Sequence, residues 1–106
     1  MKTYQTLMAG AISLLITFSV QADIVEVSIY KFEFIPKIIS IKSGDTIVWV
    51  NKEKRQYHNV WFEQFDAKQP DYLFPGDRYE RTFNQSGEFP YRCGPHPEMK
   101  ATVIVE

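Results

Sequence analysis

"KIISIKSGDTIVWVN", Lys37 to Asn51, reads as a strand, a turn and a second strand. Ile38, Ile39 and Ile41 make the first segment β-branched, which suits a pleated, half-buried surface. "KSGD" then supplies Gly44 and Asp45, residues that favour turns. "TIVWVN" is an apolar run of strand length, fit for a buried position. Such a unit needs further strands beside and above it.

They are found on both sides. Upstream, "IVEVSIY" (Ile24 to Tyr30) alternates between apolar and other residues. Downstream come "HNVWF" (His58 to Phe62), "RYERTF" (Arg78 to Phe83), "EFPYRC" (Glu88 to Cys93) and "KATVIVE" (Lys100 to Glu106). Residues 63–77 carry Pro70, Pro75 and Gly76 and show no regular pattern. No segment has a helical period. About seven short strands separated by turn residues predict an all-β fold, an antiparallel Greek-key β-sandwich or barrel of seven to eight strands. Val27, Ile29, Ile41, Val48, Val50, Phe83, Val103 and Val105 are its expected core residues.

The first 22 residues fit a different purpose. Lys2 is the only charge before Asp23, the run "LMAGAISLLITFSV" is apolar, and "VQA" offers small or apolar residues where a signal peptidase reads. Residues 1–22 are expected to be a secretory signal peptide cleaved after Ala22. A membrane anchor is the rival reading, for which the run is short of the roughly 20 residues of a span. The remaining residues 23–106 suffice for one exported domain, expected in the periplasm with no membrane span in its mature form.

Without Lys2 the 12 Lys and Arg fall to 11, against 13 Asp and Glu. That balance offers nothing to nucleic acid or to an anionic membrane. The basic "NKEKR" (Asn51 to Arg55) and the mildly acidic "EQFDAKQPD" (Glu63 to Asp71) read as solvated loops, with docking as the other reading.

The domain has a single cysteine, Cys93, so no internal disulfide can form. It is a buried inert thiol, an intermolecular bridge, a reactive thiol or a metal ligand. Its surroundings favour the last. Beyond residue 22 there are one Cys, one Met and two His; three of these four share the spacing Cys93-x2-His96-x2-Met99, and His58 begins a strand. Taken singly, Met99 reads as core filler, His58 as a hydrogen-bonded strand residue and Cys93 as an inert thiol. Taken together they match a narrow chemistry. Thiolate and thioether are soft ligands, and a thiolate with two imidazoles and a weak axial thioether is the blue-copper electron-transfer arrangement. Structural zinc takes Cys and His and has no use for methionine, while a catalytic metal keeps an open position. Four protein donors leave none, which points to moving an electron and not to an enzyme.

These residues resemble the cupredoxins, small periplasmic or plastid type 1 (blue) copper proteins. "FIPKIISIKSGDTIVWVN", "YHNVWF" and "YRCGPHPEM" carry the resemblance, and the compact two-and-two spacing is similar to the amicyanin-like members. It implies one type 1 copper per chain, with His58, Cys93 and His96 in the equatorial plane and Met99 axial. It also implies a backbone N–H of Asn59 directed at the Cys93 sulfur. Pro95 has no N–H to give the thiolate, and with Pro97 it stiffens the loop. The resemblance further implies a monomeric one-electron carrier, its redox partner proteins docking near His96, where Pro36, Pro95 and Pro97 could add to an apolar patch. Glu98 stands where the amicyanin-like loop carries an aromatic residue. A periplasmic copper-binding or delivery protein is the alternative for the same ligands.

Overall fold

The computed structural model describes residues 21–106, so the expected signal peptide lies, apart from its last two residues, outside the described residues. Seven strands form: β1 (Ile24–Tyr30), β2 (Glu33–Ile35), β3 (Ile38–Ile41), β4 (Thr46–Asn51), β5 (Arg78–Thr82), β6 (Gly87–Arg92) and β7 (Lys100–Val105). They make two sheets, ordered β2-β1-β4-β5 and β3-β7-β6. The fold is all-β, as expected, and no helix among the described residues is long and apolar enough to cross a membrane.

Two pairings depart from the antiparallel expectation. β1 runs parallel to β4, Ile24 opposite Thr46 through Ile29 opposite Asn51, and β3 runs parallel to β7. Neighbours in parallel pairs are joined by crossovers, not tight turns. A chain read one turn at a time shows only the hairpins.

The core lies between the sheets. One supplies Val27, Ile29, Ile47 and Trp49; the other supplies Ile39, Ile41, Phe89, Tyr91, Val103 and Val105. All eight expected core residues are buried, but Val48 and Val50 lie outside the main cluster. β4 is flanked by β1 and β5, and its inward residues are Ile47 and Trp49. Val48 is bracketed in register by Glu26 and Glu80, and Val50 by Ser28 and Arg78. The long side chains among these can lay their aliphatic stems over the valines. Trp49 anchors the interior: its ring meets Phe62, Tyr79 and Tyr91, and its indole N–H donates to the Tyr91 hydroxyl at 3.1 Å.

The expected strand His58–Phe62 does not form as a strand. His58 exchanges backbone hydrogen bonds with Leu73, and Trp61 does so with Arg92 at the end of β6. The segment therefore stitches a loop to a sheet, and four of its five residues are buried, so no polar face alternates with an apolar one. In its place the seventh strand is β2, a three-residue partner of β1.

Candidate metal centre

The centre sits at the end of the sandwich where β4 and β6 finish and β7 begins. Antiparallel pairing of Arg92 with Lys100 makes residues 93–99 the loop of the β6–β7 hairpin. The Cys93 N–H donates to the Met99 carbonyl at 3.0 Å, and the Met99 N–H donates to the His96 carbonyl at 3.0 Å. Cys93 and Met99 thus face each other across the loop base, with His96 at its tip. Both side chains are buried, while His96 is half-buried. The bridge between Trp61 and Arg92 carries the 58–61 segment to the same place.

Three donors meet there. His58 Nδ1 and His96 Nδ1 are 3.1 Å apart, and the Cys93 sulfur lies 3.7 Å from the first and 3.6 Å from the second. The point equidistant from three atoms so placed lies about 2.0 Å from each, close to the roughly 2.0–2.3 Å of zinc bonds to imidazole nitrogen and thiolate sulfur, a guide for transition metals. The donors fit a transition-metal ion of copper's kind. His58, Cys93 and His96 are the one such group of His, Cys, Asp and Glu among the described residues.

Burial governs the charge state of these groups. It lowers the His58 pKa, with the neighbouring His96 acting in the same direction and the Glu53 carboxylate opposing, so the neutral, ligating form is favoured. Burial also pushes the Cys93 thiol up, against the lowering influence of the Asn59 N–H. A bound metal reverses that preference, because coordination requires the thiolate.

The groups behind the donors are ordered. The Asn59 N–H faces the Cys93 sulfur at 3.5 Å. Its side-chain oxygen accepts the Gly94 N–H at 2.6 Å, and its amide nitrogen donates to Gln69 and to the Pro70 carbonyl. Arg92 donates to the Cys93 and Gly94 carbonyls from the other side, pairs with Glu63 and stacks on Trp61. The loop is thus gripped on two flanks. Pro95 is half-buried beside His96.

Sequence reading missed Gln69, Arg92, Glu53 and Phe32: the roles of Gln69, Glu53 and Phe32 depend on separate loops meeting, and Arg92, although next to Cys93, is steadied by the distant Glu63 and Trp61. Glu98 and Met99 line a cleft with Phe32, Ile35 and Lys37. The exposed aromatic residues Phe32, Tyr57, Tyr72 and Phe74 join one another or His96: Tyr57 is 6.1 Å from the His96 ring, 4.9 Å from Tyr72 and 6.1 Å from Phe74.

Comparison with known proteins agrees with this geometry. Residues 21–106 match the model of the copper binding proteins of the plastocyanin/azurin family. Amicyanin of Paracoccus versutus is 40% identical over 91 residues, covering 82% of this chain and 68% of that protein. Plastocyanin of Scenedesmus fuscus is 33% identical over 85 residues, covering 69% and 86%. The crystal structure of the Paracoccus versutus amicyanin superposes with a TM-score of 0.72 at 37% identity, covering 83% of this chain and 86% of that one. With the two-sheet fold and the converging imidazoles and thiol, these matches place the chain in the plastocyanin/azurin family of copper-binding proteins.

Proposed function

We propose that this chain is a periplasmic type 1 copper protein, a monomeric one-electron carrier between redox proteins that dock at the His96 face. The observation that carries the proposal is the closed triangle of His58 Nδ1, Cys93 Sγ and His96 Nδ1. In this reading His58, Cys93, His96 and Met99 would hold the copper. Copper, when bound, supplies the one-electron step between Cu(I) and Cu(II).

The chain's own residues do the rest. His58 and Cys93 have no exposed surface, so their donor atoms are shielded from water. The bond that Asn59 accepts from Gly94 and the one that Arg92 donates to Cys93 hold the loop in one shape, and Pro95 and Pro97 restrict its backbone. A scaffold that keeps its donors fixed asks little rearrangement of the metal between oxidation states. His96 alone is half-open, and the exposed aromatic rings around it suit a small, apolar, transient contact. The same burial disfavours copper delivery, which needs exchangeable, open donors.

The test is the visible and EPR spectrum of the copper-loaded protein. An intense band near the middle of the visible range is expected, disappearing in Cys93→Ser. A colourless protein with an ordinary Cu(II) EPR signal overturns the reading.

A further inference from the structure

Between Cys93 and Met99 the ligand loop brings glycine, two prolines and a glutamate beside His96, and no aromatic side chain. The aromatic contact comes from the turn between β1 and β2. The Phe32 ring stands edge-on to both imidazoles, its centroid 5.3 Å from His58 and 5.0 Å from His96, with interplanar angles of 89° and 88°. One ring meets both histidines, and it is 41% exposed, so its outer side is free to touch another molecule.

Two features hold Phe32 there. The turn itself is unusual: Tyr30 pairs with Glu33 across a two-residue connection, and the central residues, Lys31 and Phe32, have φ of 51° and 57°. Such turns favour Asn-Gly, because a side chain in the left-handed region is strained. A phenylalanine kept in that position marks a place where something other than turn stability is served. Secondly, the Phe32 N–H donates to Glu53 Oε1 at 2.8 Å. The same oxygen lies 3.7 Å from His58 Nε2, an electrostatic contact longer than a hydrogen bond. Nε2 is the one buried side-chain polar atom without a hydrogen-bond partner among the described residues. When Nδ1 ligates a metal, Nε2 carries the ring hydrogen, and a carboxylate behind a ligating histidine orients it. Glu53 thus meets, through a single atom, a histidine ring and the backbone of the phenylalanine packed against it.

We propose that Phe32, positioned by Glu53, is the contact residue of the electron port, the apolar edge that meets the hydrophobic face of a protein redox partner. Aromatic residues are enriched and charges depleted at the centres of such contacts. Exposed Tyr57, its ring 6.1 Å from that of His96, extends the same surface. The inference rests on the carrier function proposed above.

Electron self-exchange of the copper-loaded protein, followed by NMR line broadening in mixtures of the two oxidation states, tests it with a second copy as the partner. Phe32→Ala slows self-exchange about tenfold and Phe32→Leu less, as loss of an aromatic contact at an interface implies. The visible band and the rate of oxidation by hexacyanoferrate, too small to use the whole surface, stay within about twofold of the parent for the same reason. Glu53→Ala slows self-exchange likewise and speeds hydrogen exchange of the Phe32 amide in the metal-free protein, whereas Glu53→Gln, which keeps the acceptor, leaves amide protection intact. Self-exchange unchanged in Phe32→Ala with the blue band intact overturns the role of Phe32 alone. An equal slowing with hexacyanoferrate does the same, because it places the defect at the metal. Unchanged Phe32 amide protection in Glu53→Ala overturns the role of Glu53. Absence of the blue band in the parent overturns the carrier function together with this inference.

Discussion

Asn59 holds Gly94: its side-chain oxygen accepts the Gly94 N–H at 2.6 Å, one residue beyond the cysteine whose sulfur the Asn59 N–H faces. Backbone and side chain of a single fully buried residue thus serve separate ends, the first the sulfur and the second the loop. Asn59→Ala removes only the second. It is expected to lower the unfolding free energy by about 3 kcal/mol, since polar groups left unsatisfied cost roughly 1–3 kcal/mol each. The blue colour should persist, because the backbone donor remains. Denaturant melts and a visible spectrum of the same sample check both halves, and loss of colour at unchanged stability contradicts the division.

Gly94 has its own constraint. A Cβ there would overlap the side-chain amide of Gln69, the group to which Asn59 also donates. Gln69 is exposed and can swing away, so Gly94→Ala should cost only about 1 kcal/mol, the worth of one hydrogen bond. The double variant Gly94→Ala, Gln69→Ala should be no less stable than Gly94→Ala alone, because the bond is already lost. Additive losses in a denaturation cycle would show that the glycine is needed for its backbone and not for this contact.

Copper should stabilise the domain strongly and leave it slowly. Metal that binds only the folded state adds about 4 kcal/mol at a thousandfold excess over Kd. Chelation is therefore expected to lower Tm, and removal from donors with no exposed surface at His58 and Cys93 to take far longer than mixing. Stopped-flow transfer to a chelator is the check; transfer complete within mixing would favour copper delivery over electron carriage.

The acid limb of stability should depend on Asp45. Its carboxylate accepts the Asp23 N–H and the Lys42 N–H, each at 2.9 Å, and these bonds hold its pKa below the usual carboxylate range of about 4. A depressed pKa means that the unfolded chain binds the proton first. The stabilisation is present above the unfolded pKa and is lost as pH falls through the folded one. Asp45→Asn should flatten the decline of stability below about pH 4. Thermal melts of both proteins from neutral to strongly acid pH decide it, parallel curves counting against the role.

Much of this was legible in the sequence, for physical reasons. The alternation of Val27 and Ile29, or of Val103 and Val105, records a face turned inward, and the spacing of Cys93, His96 and Met99 survives folding because one hairpin loop carries all three. Asn59 was legible only through the family resemblance, in the segment "YHNVWF". Parallel pairing, the three-residue β2 and the inward turn of Ile47 and Trp49 were not. β4 is apolar on both faces, so its period says nothing about which face is the core. Nor does any local pattern link Glu53 to Phe32, or Gln69 to Gly94; those pairs exist only once separate loops are brought together.

The parallel register of β1 with β4 has one more outcome. It puts Asp23 beside Asp45 and Thr46 at one end of the sheet, while the far ends of both strands lead to Phe32, Glu53 and His58. Six residues of β4 separate these poles, a distance of about 20 Å at the usual rise of a strand. The backbone coming from residue 22 therefore joins the domain at the pole remote from the donors. Trimming or lengthening the chain at that junction is expected to perturb the Asp45 latch and to leave the visible spectrum of the copper-loaded protein unchanged. The junction at residue 22 and the donor group thus lie at opposite ends of one domain.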